Sequence, residues 1–332
     1  MTRRVAPLVT RKFLFALLAT AILGDPLAAA QVYPSRPVTM IVPFAAGGPT
    51  DTIGRVVAEG MRGSLGQPVI IENITGAAGT LAVGRAARAA PDGYTLSLGA
   101  WPTHVVNGAV YTLPYDVLKD FEPVALIANN PELIVTKSAL PANDLRGLIA
   151  WLKANPDKGT ASSSGLGSAS HVSGLLFQKL TDTRFQFVPY RGAGPAMQDL
   201  IAGQIDLMFD QASNSLPHLQ AGAIRAIAVT SATRLTSAPE IPTVDEAGLP
   251  EFHVSIWHGL WVPKGTPSSI IRTLNSAVMV ALATPEIRRR LTELGQEIPA
   301  PDQQTPEALG AFHKAEIDKW WPVIRAAGIK QE

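Results

Sequence analysis

The sequence predicts an α/β protein of two lobes, with mostly parallel sheets and a hinge that the chain crosses twice. Three observations carry this. β-type apolar runs alternate with amphipathic helical stretches along the 332-residue chain, the pattern of layered sheets with crossover helices. Two segments read as crossings: Val124–Val135 (VALIANNPELIV), where Asn129-Asn130-Pro131 parts two apolar runs, and Ala226–Ser231, which precedes the proline-rich stretch Pro239–Pro250. Polar, small-residue clusters fall just beyond predicted strand ends, where open α/β sheets place their ligands. The crossings assign residues 31–130 and 229–332 to one discontinuous domain and 131–228 to the other, a layout with a cleft that can close.

Composition narrows the function classes. A formal charge of +1 and the lack of a strong basic run after the N-terminus argue against a nucleic-acid footprint. The chain has no cysteine, which excludes disulfides, thiolate metal sites and lipid attachment at an N-terminal cysteine. Residues 1–30 read as a secretory signal: Arg3, Arg4, Arg11 and Lys12, then the apolar run Phe13–Leu23, then Ala28-Ala29-Ala30 as the cleavage site. The expected mature chain starts near Gln31 and is exported and soluble.

The predicted strands are Val38–Val42, Val69–Glu72, Thr95–Leu98, Val124–Ile127, Leu133–Thr136, Gly159–Ser162, Gln186–Val188, Ile205–Phe209, Ile224–Thr230 and His258–Val262. The predicted helices are Asp51–Leu65, Gly79–Arg88, Leu145–Ala154, Ser170–Leu180, Ala196–Ala202, Ser268–Ala283, Pro285–Leu294 and Pro306–Ala327.

The stretch Val38–Asp51 (VTMIVPFAAGGPTD) carries the strongest local chemistry. A strand ends at Pro43-Phe44, a small-residue turn runs through Ala45, Ala46, Gly47 and Gly48, and Pro49 opens a helix with Ile53, Val56, Val57, Met61 and Leu65 at helical spacing. Such a turn points unpaired N–H groups at an anion. Neither phosphate fingerprint, G-x-G-x-x-G nor G-x-x-x-x-G-K, is present, so a small carboxylate fits better than a nucleotide. Phe44, Ala46, Gly47, Thr50 and Asp51 are candidate ligand residues; Asp51 reads equally as an acidic residue favoured by the helix start. If it serves the site, it orients donors or pairs with an amine.

Four further clusters follow. Ser162–His171 (SSSGLGSASH) offers Ser163, Gly167, Ser168 and His171, with Ser168 or Ser170 as helix cap; a serine-rich cap with an incidental histidine is the competing reading. Gly99–Asn107 offers Thr103, His104 and Asn107, with Trp101-Pro102 either a wall or a rigid turn. Val188–Gly194 offers Tyr190 as an apolar wall with a hydroxyl donor, and Arg191, which reads as a surface arginine. Asp206–Ser215 offers Asp210, either accepting from a ligand amine or hydroxyl or capping the next helix.

Ser163, Ser164, Ser168, His104, His171 and Asp210 are also raw material for an exported hydrolase, but no G-x-S-x-G elbow is present. The six histidines show no H-E-x-x-H pattern, so no metal is expected, and no cofactor.

Taken in order, YPSRPVTMIVPFAAGGPTD, GQPVIIEN, APDGYTLSLG, LPYDVLKDFEPV, SSSGLGSASH, VPYRGAGPAMQDL, GQIDLMFD and IPTVDEAGLP resemble the solute receptors of tripartite tricarboxylate transporters, the Bug (Bordetella uptake gene) family, over nearly the whole mature chain. The chain departs from the family pattern at ENITGAAGT and at Arg191. The resemblance implies a periplasmic, TctC-like, type II binding-protein fold. It also implies a non-enzymatic monomer that holds a small carboxylate between Phe44–Asp51 and Ser163–His171 and serves the membrane subunits of a transporter, or alternatively a membrane sensor.

Overall fold

In a computed structural model the described residues are 33–165, 167–190 and 192–326, with Met1, Thr2 and Gly328; the expected signal segment, apart from Met1 and Thr2, and Arg191 lie outside them. The first lobe opens with β1 (Val38–Val42), α1 (Pro49–Leu65), β2 (Val69–Asn73), α2 (Thr80–Ala87), β3 (Thr95–Ala100) and the short α3 (Asn107–Val110). Strand β4 (Phe121–Lys137) leads into the second lobe, which contains α4 (Leu145–Ala154), β5 (Thr160–Ser163), α5 (Ala169–Thr181), β6 (Gln186–Pro189), α6 (Ala193–Ile201), β7 (Leu207–Gln211), α7 (Ala212–Gln220) and β8 (Ile224–Val229). The chain returns through β9 (Ser255–Pro263) to α8 (Ser268–Ala283), α9 (Pro285–Glu293) and α10 (Pro306–Ala326).

The strands form two sheets that share β4. One runs β2-β1-β3-β9-β4; in the other β4 lies between β8 and β7, followed by β5 and β6. Strand β4 pairs with β9 as far as Pro131↔Ser255, then with β7 from Glu132↔Gln211. The expected parallel pairing holds for β1 with β2 and β3, and for β5 with β6 and β7. The pairs β3–β9, β4–β9, β4–β7 and β4–β8 are antiparallel.

The two separate strands expected over Val124–Thr136 are one strand of 17 residues. Pro131 is tolerated because it sits where β4 changes neighbours, and Asn129 satisfies its backbone against Glu297 in both directions at 2.8 Å.

Three apolar cores hold the layers. Val38, Met40, Val42, Val57 and Met61 meet Leu274, Val278 and Leu282 beneath α1 and α8. A second core runs across both lobes and includes Trp101, Val106, Ile134, Phe177, Phe209, Trp257 and Trp320. The third packs α6 and α7 on Leu133, Val135 and Met208. Helix α7 is the helix expected after Asp210, but the sequence does not show its bounds: its polar residues and Pro217 mask the pattern, while Ala212, Ser215 and Leu216 supply its buried face.

Helices α1 and α8 approach closely at Gly60, where a Cβ would lie 2.7 Å from Ala281 Cβ and 3.2 Å from Ala281 Cα. A Gly60→Val substitution should destabilise the fold by about 1–3 kcal/mol through overpacking, read as a lowered urea midpoint with unchanged slope.

Candidate functional site

Helix α1 starts as expected, with Gly48 as an extended N-cap that makes no side-chain cap bond, and Pro49 at the first position. The turn before it is exposed at Ala45, Ala46 and Gly47, and Phe44 is half-buried. Asp51, 2% exposed, lies beneath this turn. Its Oδ2 accepts from Gly47 N–H and Arg55 Nε, both at 2.8 Å, and its Oδ1 accepts from Asn73 Nδ2 at 2.9 Å. Asn73 also donates to Phe44 O at 3.0 Å, so β2 holds the turn as well. Burial works to raise the Asp51 carboxyl, but these hydrogen bonds and the Arg55 charge hold it below its usual range. Asp51 therefore fixes donors, and Gly47 N–H is committed to it. Thr50, also buried, shares a 3.1 Å hydrogen bond with His258 Nε2 on β9.

The corresponding turn of the second lobe joins β5 to α5. Ser168 caps α5, its Oγ accepting from His171 N–H at 3.4 Å and lying 3.2 Å from Ser170 Oγ. Ser163 Oγ bonds Gly165 at both N–H and C=O, at 3.2 and 3.1 Å. Gly167 N–H donates to His171 Nδ1 at 3.3 Å, which requires the neutral ring with its proton on Nε2. Burial lowers the His171 pKa, in keeping with that state. Gly167 has a left-handed φ of 75°, and a Cβ there would lie 3.2 Å from Val110 at the end of α3. The turn thus abuts the opposite lobe.

A third turn, Ala77–Gly79, borders the first: a Cβ on Gly79 would lie 2.8 Å from Thr103 and 3.0 Å from Pro43, and Asn107 Nδ2 donates to Ala78 O at 2.9 Å.

Four side chains differ from the expected cleft roles. Thr103 and His104 are fully buried. The Thr103 hydroxyl lies 3.0 Å from both Ala100 N and Ala100 O, and His104 stacks on Trp261 at 4.0 Å, so both serve the core. The Tyr190 hydroxyl donates to Asp199 Oδ2 at 2.7 Å and is not free to a solute; burial and Asp199 push its pKa up to about 12. Trp101, too, is a core residue, edge-on to Trp320 at 5.0 Å.

Asp210 fastens α7 through side chains, accepting from Ser215 Oγ at 2.5 Å and Asn214 Nδ2 at 2.8 Å; the N-cap itself is Gln211. Burial pushes the Asp210 carboxyl up to about 6. Among the described residues, no group of three or more His, Asp or Glu side chains is placed to hold a metal ion.

Sequence reasoning missed Asn73 and His258 as supports of the first turn. The parallel pairing Val42↔Asn73 is the signal for Asn73, because it sets the end of β2 beside the end of β1. Nothing local to His258 marks its contact with Thr50, 208 residues away.

Two helix starts at strand ends, one in each lobe of a hinged fold, define the class of a solute-binding receptor. Residues 53–329 match the model of the tripartite tricarboxylate transporter family receptor. BugT of Bordetella pertussis is 37% identical over 315 residues, covering 94% of this chain and 95% of BugT. MatC of Rhodopseudomonas palustris, solved with bound malate, superposes with a TM-score of 0.81 at 42% identity, covering 88% of this chain and 100% of that one. An R. palustris protein solved with adipate gives 0.83 at 35% identity, covering 90% and 100%. The chain belongs to the tripartite tricarboxylate transporter receptor family, whose members are periplasmic solute-binding proteins.

Two outcomes follow from this geometry. Asp51→Ala leaves Gly47 N–H and Asn73 without their acceptor and should cost about 1–3 kcal/mol in denaturant unfolding. The pH profile should peak near pH 6.5. His104, His258 and His313 have lowered pKa values through burial, His258 down to about 4, so unfolding takes up protons below about 6.5 and acid destabilises. Asp210 and Glu132, raised to about 6 and about 8, act with the opposite sign. With His171, also lowered by burial, on the first side and Glu297, raised by burial, on the second, four groups against three leave a net loss of stability on acidification, and Glu132 produces a decline from pH 6.5 to about 8; thermal melts across pH 4.5–9 check both limbs.

Proposed function

We propose that this protein is a periplasmic receptor that captures a small dicarboxylate between its lobes and delivers it to the membrane subunits of a tripartite transporter. The observation that carries the reading is the pair of helix starts, Ala45–Asp51 and Ser163–His171, on opposite lobes, each at the end of a strand. With Gly47 N–H committed to Asp51 and Gly167 N–H to His171, the first-turn N–H groups of Thr50, Asp51, Ala169 and Ser170 are the donors a carboxylate meets; a helix supplies them no internal partner. Relatives at 42% and 35% identity hold malate and adipate, which supports a dicarboxylate as cargo. In this reading Phe44, Ala46, Gly47 and Thr50 lie on one side of the solute and Ser163, Gly167, Ser168 and His171 on the other.

The lobes are taken as residues 31–130 with 229–332, and 131–228. The change of neighbours in β4 after Pro131 and the end of β8 at Val229 support those limits. Export follows the family, with cleavage near Ala30; among the described residues no helix is long and apolar enough to cross a membrane. The protein acts as a monomer without a cofactor.

Binding without catalysis accounts for the polar groups. Ser163 is hydrogen-bonded to Gly165, Ser168 caps a helix, and Asp210 holds Ser215 and Asn214. Energetically, a charge-assisted hydrogen bond contributes roughly 1.5–3 kcal/mol and a helix start about 0.3–1 kcal/mol. Three or four such contacts, less the cost of lost freedom, reach micromolar affinity, about −8 kcal/mol.

Malate and adipate should each raise the melting temperature, because a ligand of the folded state at a hundred times its Kd adds about 2.7 kcal/mol. Ser168→Ala should weaken both by about tenfold through loss of one donor and cap. Absence of any shift with a panel of carboxylates, or an unchanged affinity in Ser168→Ala, contradicts the reading.

A further inference from the structure

Glu132 is the residue at which β4 passes from one sheet to the other. Pro131 still pairs with Ser255, whereas Glu132 pairs with Gln211. Its backbone is tied to the second crossing. Glu132 N–H donates to Thr230 Oγ1 at 2.9 Å, Thr230 N–H donates to Glu132 O at 2.9 Å, and the Thr230 hydroxyl lies 2.5 Å from Val254 O. One knot of hydrogen bonds therefore joins both strands of the hinge to the segment that leads into β9.

The side chain of Glu132 is 1% exposed and has no ion-pair partner among the described residues. Its Oε2 accepts from Ser173 Oγ on α5, two residues beyond His171. The hinge is thus bonded to the helix whose first turn is the Ser163–His171 loop.

The other charged groups nearby are committed elsewhere. Asp210 on β7 points to the opposite face of the sheet, since it pairs with Leu133, and bonds Ser215 and Asn214. Lys137, farther along β4, pairs with Asp206 at 2.7 Å. Arg225 on β8 donates to the carbonyls of Ser138, Leu140 and Ala142. His253 lies between Thr230 O and Asp245, and on α5 His171 bonds Gly167 N–H. Lys179 lies in the last turn of α5, at the end away from the loop. None supplies a counter-charge to Glu132.

We propose that Glu132 is a positioning residue for solute capture: its buried carboxyl, bonded to Ser173, couples the hinge to α5 and holds the Ser163–His171 loop ready for the solute. This rests on the reading of that loop as a ligand contact. Burial pushes the carboxyl up to about 8, with the Ser173 hydrogen bond offsetting part of the rise and the Asp210 charge adding to it. Opening of α5 from the hinge admits water and returns Glu132 to an ordinary carboxylate. Between that ordinary range and about 8 the open form releases a proton, so opening becomes up to about tenfold more favourable per pH unit and levels off above 8.

The test uses the full-length mature protein. Amide hydrogen exchange of residues 163–172 is measured without solute at pH 6.5 and 8, with the intrinsic pH dependence divided out. Malate and adipate affinities are measured by calorimetry at the same two values, where both acids are ionised. Wild-type protection should fall about tenfold or more at pH 8, and measurable affinities should weaken with it. Glu132→Gln, neutral at both values, should show equal protection and equal affinity. Ser173→Ala should be deprotected at both. Wild-type protection that does not change with pH, or a Glu132→Gln protein that tracks wild type, overturns the proposal. If Glu132→Gln does not fold, a Ser173→Ala protein with wild-type protection at pH 6.5 and 8 overturns it, and one less protected than wild type at both values sustains it. If neither acid binds, the dicarboxylate reading fails on its own, and the exchange data still decide the role of Glu132.

Discussion

Unpaired N–H groups at the starts of α1 and α5 are the constraint on which the rest of the structure depends. A helix cannot satisfy its own first turn, and both starts follow strand ends, α1 after β1 and α5 after β5. The surrounding side chains hold this geometry more than they extend it. Asp51, Asn73 and Arg55 fix the first turn, while Ser168, Ser163 and the neutral ring of His171 fix the second. In the proposed reading, neutral donors and dipoles suit a protein that releases its cargo, because no full positive charge has to be stripped from the ligand. Asp51, beneath the first turn, is paired with Arg55 at 2.8 Å, which limits its repulsion of an anion.

The same fold keeps several ionisable groups out of water. His104, His258 and His313 are held neutral by burial, and Glu132 and Asp210 are raised by it. Their placement follows the architecture: His258 braces Thr50 in the first turn, Asp210 braces α7, and Glu132 braces α5 from the hinge. Each joins a helix to the sheet where a strand ends or changes neighbours. Strand β4 makes this possible by belonging to both sheets, so that the hinge is a continuous hydrogen-bonded ladder and not a slack linker.

How much of this was legible in the sequence depended on the range of the interaction. Gly48-Pro49 and Ser168 announce helix starts through local backbone chemistry, and both starts lie where that chemistry puts them. Leu145–Ala154 and Ser268–Ala283 have the bounds that their apolar spacing indicates. The continuity of β4 was hidden because Asn129-Asn130-Pro131 has the composition of a turn, and only the partner change at Pro131 explains its place in a strand. Thr103 and His104 look like cleft residues because they follow a strand end, yet Trp261 and His313 arrive from β9 and α10 and enclose them in the core. Tyr190 is claimed by Asp199 on α6, a pairing that spacing does not reveal. Asn73, His258, Glu132 and Thr230 act through partners far along the chain, and that information exists only once the sheets are assembled.

A crystal structure of the protein with adipate bound tests the central claim most directly. The account predicts one carboxylate between the lobes, within hydrogen-bond distance of first-turn amides of both α1 and α5, directly or through one water. An adipate held by lysine or arginine side chains away from these helix starts, or touching only one of them in a closed protein, would contradict it.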